Sequence, residues 1–446
     1  MTGHSRRTVL AGATGLLATL SGCSVTSEFD GSYDDDALRR LTETAPLRQP
    51  YRHPFVIPDS MIRHHRERAV MLLERVPSST TIPNELIGSR IETERERLKT
   101  DFEEVTADLS EGDEQSANSE VETSRERART RLRVAHRHRK EAATLWGSYR
   151  AATDDITREE VVRRRDSQRD RLATFRTGWE YRAPTPIRAI LVHSDFESLI
   201  RDIQHSLEPW PPFPEDPQAA TDEVGYILGK IEQAAISLGD LERYQRQVGN
   251  QNVRSYRPAL MAAATWLRRR ARDEAYSVEQ PLEQGVAGFD DEIGDSVTRH
   301  EFRFARKVAQ QYSNSELLDR IKEENYAEAV LFATTRRTAV SAFAAIVDEV
   351  ESKPPETTVS AEHIEKSRQN ARQRVQDALN HRSKPLMAHV LSPVFDVLRE
   401  AHNELQGGSS GNPPRAYAGY RYAGHFAETA ADAADELAYL LENAAN

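Results

Sequence analysis

Glycine and proline are gathered into a few places along this chain, and the long stretches between them carry apolar residues at helical spacing. The chain has 446 residues, with 21 glycines and 21 prolines. The candidate breaks fall at 77–83, 183–186, 209–217, 285–294, 353–360 and 407–414. Between two of them, Val224, Ile227, Leu228, Ile231, Ala235, Leu238 and Leu241 form one stripe. Met387, Val390, Leu391, Val394, Leu398, Ala401 and Leu405 form another. A spacing of i, i+3, i+4, i+7 lines one face of an α-helix, whereas a half-buried strand would alternate. No segment alternates in that way, so the expected fold class is all-α. The stretch 327–350 is apolar around much of its circumference and is expected to be a central helix. Arg336 and Arg337 in its middle argue against a membrane span.

The stretch 83–178 has a different rhythm. Ile91, Leu98 and Val105 recur at heptad spacing, and Val121, Ala128, Ala135, Ala142, Tyr149 and Ile156 do so again after a polar break. This pattern predicts two long helices in an antiparallel coiled-coil-like hairpin. Alanine-rich seams bury little apolar area, so the hairpin calls for a covering layer: more helices, a second copy of itself, or a protein partner. The expected organisation is a signal at 1–22, a lipidated Cys23 with a tether at 23–36, an extended helical region at 37–182 and a helical bundle at 183–446.

Charge narrows the function classes. Lys+Arg total 60 against 71 Asp+Glu, a formal net charge of −11, and only eight of the basic residues are lysine. An acidic chain of this kind is a poor match for nucleic acid, whose phosphates demand basic surface. Surplus acid with scarce lysine resembles the proteins of salt-adapted archaea. One stretch, 121–150, runs against the trend with nine basic residues and three acids. Arg125, Arg129, Arg133 and Arg137 there share a helical face. Two readings are open: contact with anionic headgroups, or pairing with Glu92, Glu94, Glu96, Glu103 and Glu104 on the other arm of the hairpin.

The chain has a single cysteine, Cys23, so it can form no internal disulfide and must be stabilised by packing. The residues before it read as an address. Ser5-Arg6-Arg7-Thr8-Val9-Leu10 resembles the twin-arginine export consensus, although Val9 and Ala11 stand where Phe and Lys are more usual. The apolar run from Val9 to Leu20 suits a signal and is too short to span a bilayer. Leu20-Ser21-Gly22-Cys23 resembles the lipobox of bacterial-type lipoproteins. The resemblance implies export guided by Arg6 and Arg7, lipidation of Cys23, and anchoring on the outer face of the cytoplasmic membrane. Ser24 to Asp36 is small, polar and acidic, and such a tether reaches at most ~45 Å.

Chemistry-bearing motifs are sparse. Gly407-Gly408-Ser409-Ser410-Gly411 matches a nucleophile elbow in letters only, because no strand precedes it. Asp290, Asp291, Glu292 and Asp295 lack the alternation of a calcium loop. His-x-x-Glu pairs occur at His64/Glu67, His138/Glu141 and His425/Glu428, each able to place two metal ligands on one helical face. The third lies in Ala423-Gly424-His425-Phe426-Ala427-Glu428, which resembles the Gly-x-His-x-x-Glu of imelysin-like exported proteins, with Gly one place closer to His. That resemblance implies a metal or small-ligand binder with His425 and Glu428 at its site. The leading expectation is instead a lipid-anchored scaffold or interaction module of the envelope. It has no catalytic residues, metal or cofactor, and no nucleic-acid partner. It meets the membrane through its lipid and possible protein partners, or another copy, through the 83–178 helices.

Overall fold

The computed structural model describes residues 35–43, 45–50, 52–77, 82–108, 120–208, 211–249, 253–276, 282, 297–312, 314–352, 359–406 and 411–445. The address at 1–23, with Arg6, Arg7 and Cys23, lies outside these residues, as do the acidic loop at 290–295 and most of the glycine loop at 407–411. The fold is all-α, and the strands among the described residues are two-residue pieces. In it, β1 (Arg182–Ala183) pairs antiparallel with β2 (Arg254–Ser255).

The first group of helices comprises α2 (Asp59–Glu74), α3 (Glu85–Asp108), α4 (Glu120–Ala152), α5 (Arg158–Gly178), α6 (Pro186–Ser206) and α7 (Thr221–Gly249). The second comprises α8 (Arg257–Tyr276), α9 (Val297–Gln311), α10 (Asn314–Lys322), α11 (Tyr326–Ser352), α12 (Ala361–Leu379), α13 (Lys384–Val390), α14 (Ser392–Gln406) and α15 (Pro413–Ala445). The short α1 (Asp35–Thr42) precedes both and joins the second group. Helix starts follow local chemistry. Thr157, Thr185 and Ser360 each accept a backbone N–H of the first turn, which satisfies an otherwise orphaned donor. Pro186 follows Thr185 at a position where a missing N–H costs nothing. The stripe from Met387 to Leu405 is buried throughout, yet it is divided between α13 and α14, where Pro393 enters the first turn of α14.

The span 83–178 holds three helices rather than the two arms expected. α3 and α4 do run antiparallel: the Phe102 ring stacks on His138 at 4.5 Å, and Arg97 lies 3.8 Å from Glu141. The heptad positions Ile91, Leu98, Ala135, Ala142 and Ile156 are all buried. α4, however, packs most extensively on α7 and then on α2. Small residues allow this. A Cβ added at Gly225 of α7 would stand 2.6 Å from the Thr144 carbonyl oxygen, and one at Gly229 would meet the Thr144 hydroxyl at 2.2 Å. The two backbones approach where alanine, glycine and threonine leave room. The apolar deficit of the thin seam is thus met by α2 and α7.

The basic run is absorbed in part. Arg139 pairs with Glu232 of α7 at 2.7 Å, and Arg131 lies 3.3 Å from Asp59 of α2. One ion pair between α3 and α4 has the opposite polarity to that expected, with the arginine, Arg97, on α3 and the acid, Glu141, on α4.

α6 belongs to both groups. Its Ala189 and Ile190 enter the core of the second, and its Val192, Phe196, Ile200 and Ile203 enter a core of the first. The non-helical residues 52–57 cross the same join. Phe55 stacks on Tyr244 at 4.3 Å and on Phe196 at 5.3 Å. His53 lies 2.8 Å from Asp195, and the Arg52 carbonyl faces His389 at 3.2 Å. α11 is long and apolar enough to cross a membrane, but it is largely buried among its neighbours. Arg336 donates to the Tyr312 carbonyl, and Arg337 pairs with Glu436.

One buried carboxyl ties α6 to α11. Glu197, fully buried, accepts the backbone N–H groups of Ala327 at 3.0 Å and Glu328 at 2.6 Å. Its Oε1 also lies 2.5 Å from the Tyr181 hydroxyl, which is itself 2.7 Å from the Glu324 carbonyl. Tyrosine has one proton to give. If it goes to the Glu324 carbonyl, the short contact with Glu197 needs a proton on Glu197. Burial does push this carboxyl up to about 8. Between the ordinary carboxyl value and about 8, the folded chain keeps a proton that the unfolded chain has released. Stability therefore falls as pH rises through that window and levels off above it. Glu197→Gln should weaken this dependence. Denaturant midpoints at pH 5 and pH 9 should fall less in the variant than in the parent chain; equal falls would contradict a neutral Glu197. A second substitution tests the α4–α7 approach. Gly225→Val should cost about 1–3 kcal/mol by overpacking, measured by the same unfolding experiment.

Candidate functional site

Among the described residues, two clusters of histidine and carboxylate bring three possible metal ligands each within 4.8 Å of one another. They are built differently, and hydrogen-bond logic separates them.

The first joins His65 of α2, His136 of α4 and Asp240 of α7. His65 Nε2 lies 2.8 Å from Asp240 Oδ1, and His136 Nε2 lies 2.8 Å from Asp240 Oδ2. The rings of the two histidines meet edge to face at 4.6 Å. On the other side of His65, the Arg139 guanidinium approaches Nδ1 at 2.9 Å. Arginine only donates, so Nδ1 must accept and Nε2 must carry the proton that it gives to Asp240. A metal on Nε2 would require that proton to move to Nδ1, against the Arg139 N–H. At His65 the cluster is closed by its own hydrogen bonds. Burial lowers the His65 pKa and keeps the ring neutral. Burial alone would raise the Asp240 pKa, but the hydrogen bonds from His136 and His65 outweigh it and hold the carboxyl below its usual range.

The same logic disposes of His193. Trp179 Nε1 donates to its Nδ1 at 3.0 Å, so its Nε2 donates to the Arg182 carbonyl at 3.0 Å. Burial lowers its pKa to about 4. His138 stacks on Phe102, with its pKa also lowered to about 4 by burial, while Glu141 turns to Arg97. His64 and Glu67 are exposed on α2.

The second cluster contains His425 on α15. Its Nε2 lies 3.7 Å from Glu301 Oε1 of α9 and 3.8 Å from Glu349 Oε2 of α11. Glu428, the sequence-level partner, stands 4.0 Å from Nδ1, is half-exposed, and pairs with Arg374 at 2.9 Å. Helical spacing put Glu428 beside His425 as expected. The carboxylates that face Nε2 come from helices 124 and 76 residues away in sequence. No short motif could signal them. Arg421, one turn before His425, reaches the other oxygen of each: Nη1 is 3.4 Å from Glu301 Oε2, and Nη2 is 2.7 Å from Glu349 Oε1. The guanidinium fork thereby turns Glu301 Oε1 and Glu349 Oε2 toward the imidazole. Burial lowers the His425 pKa and Glu349 opposes this without reversing it, so the ring is neutral at pH 7.

Residues 60–251 match a family described as a domain of unknown function (DUF8262), and residues 257–439 match a second (DUF8264). No curated protein and no solved structure matches the chain. The first match holds the His65–His136–Asp240 cluster, and the second holds Glu301, Glu349 and His425. Each cluster is thus assembled within one matched span.

The closed cluster should matter for stability. Asp240→Asn replaces an acceptor-only group with one that must present an amide N–H to a histidine. It should destabilise the fold by about 2–3 kcal/mol, read as a lower midpoint in chemical denaturation; an unchanged midpoint would show that the network contributes nothing.

Proposed function

We propose that the protein is exported and held on the outer face of the cytoplasmic membrane by a lipid on Cys23, acting there as a helical scaffold or interaction module. The observation that carries this reading is the order of features before and at the chain's sole cysteine: Arg6-Arg7, the apolar run and Leu20-Ser21-Gly22-Cys23. The geometry after the tether supports it. α1 is built into the largest core through Leu38 and Leu41. Arg368 donates to the Leu41 carbonyl, and Arg372 donates to that of Ala45 at 2.9 Å. A lipid on Cys23 would therefore hold the whole helical body close to the bilayer.

An interaction surface is available on α4. Arg125, Arg133 and Arg137, which share a helical face, stay exposed on a chain whose overall charge is strongly acidic. At low salt each basic residue near an anionic surface contributes ~1 kcal/mol. At about 1 M salt the Debye length falls to ~3 Å, and only close pairing survives. This face suits an acidic partner or anionic headgroups in dilute buffer and contact-range pairing in brine.

Two substitutions test the anchoring. Cys23→Ala should move the protein out of the membrane fraction or leave its signal uncut, as followed by fractionation and intact mass. Lysine in place of both Arg6 and Arg7 should retain the precursor inside the cell. Unchanged processing with full membrane retention in the Cys23 variant would refute the proposal.

A further inference from the structure

We infer that Glu301, Glu349 and His425 form a site for one divalent first-row transition-metal ion, with Arg421 as its orienting residue. This goes beyond the anchoring proposal and does not depend on it.

Carboxylate oxygens and an imidazole nitrogen at 3.7 and 3.8 Å are too far apart to hydrogen-bond. Ligands that each sit ~2.0–2.2 Å from a shared ion lie about 3–4 Å from one another. The spacing here is that of ligands around an ion. In the first cluster His65 Nε2 meets Asp240 Oδ1 at 2.8 Å as a hydrogen bond.

Orientation is the second strand. Ligating carboxylates are commonly held by a further hydrogen-bonding group that fixes which oxygen faces the metal. Arg421 reaches both glutamates, donating to Glu349 Oε1 and pairing with Glu301 Oε2 at 3.4 Å, with the opposite oxygens toward His425. A planar fork with fixed donors orients two carboxylates more rigidly than a lysine's point charge would. Arg421 and His425 are four residues apart on α15 and so share a face. Glu301 is almost wholly buried, while His425 and Glu349 are about a quarter exposed, so the site is firm at its base and open to solvent at its mouth.

Ligand chemistry selects the ion. One imidazole and two carboxylates suit zinc, manganese or ferrous iron, whereas calcium and magnesium favour all-oxygen sets and copper(I) favours sulfur. Three protein ligands leave a coordination position for water or a small anion.

The test uses the chain from Ser24 onward and zinc or manganese salts alone. Equilibrium dialysis with elemental analysis should find one ion per chain, and His425→Ala and Glu349→Gln should each reduce the affinity at least tenfold. His138→Ala, which alters another His-x-x-Glu pair, should bind as the parent does. Circular dichroism melts of the metal-free variants check that they fold. Cobalt(II) substitution of the unaltered chain provides a readout that needs no variant: an imidazole proton resonance should be paramagnetically shifted. Absence of stoichiometric binding, binding retained in either the His425 or the Glu349 variant, or a cobalt spectrum without an imidazole signal would each overturn the assignment.

Discussion

Glu197 sits where the two groups of helices meet, and burial there pushes its carboxyl up to about 8. An ionised carboxylate so fully enclosed would carry a desolvation cost of several kcal/mol. As a neutral acid it can accept the first free N–H groups of α11 and complete the hydrogen bonding of Tyr181 at the same time. The consequences spread along both helices. α6 is fixed at Glu197 and again by Arg201, which grips Glu328 through two hydrogen bonds at 2.5 and 2.8 Å. The residue whose carbonyl meets Tyr181, Glu324, adopts a left-handed backbone at φ 62°. That conformation closes the end of α10 and aims the chain into α11. Because α6 also supplies side chains to two cores, its placement sets the register between the groups.

Arginine does the organising work elsewhere. The chain carries few lysines, and its internal polar contacts show what guanidinium chemistry adds. At His65 an obligate donor decides the tautomer, and with it whether the ring can take a metal. At Glu301 and Glu349 a fork decides which oxygens are left to face His425. At α1 two guanidiniums satisfy main-chain carbonyls of the segment that follows the tether. In a chain with no possible internal disulfide, these directional contacts, added to close helix packing, take over the task of fixing one arrangement among many.

Much of this protein was legible in its residues. Helical spacing identified the all-α class, the buried faces of α7, α13 and α14, and the central α11, because amphipathic periodicity is a local property. The heptad positions of 83–178 pointed to the right buried faces, and His425 was singled out by the company of Glu428. The partners of those faces were not legible. Alanine and glycine say only that something may approach closely; the choice of α7 and α2 against α4 rests on shape across the whole body. Likewise Glu301 and Glu349 meet His425 because three helices cross at one level, and Glu197 finds α11 across 130 residues of chain. Local pattern determines what each helix is and which side it hides, since those depend on neighbours three and four residues away. Which helices meet, and which charges are thereby brought into contact, depends on packing among distant segments, and that only the tertiary structure decided.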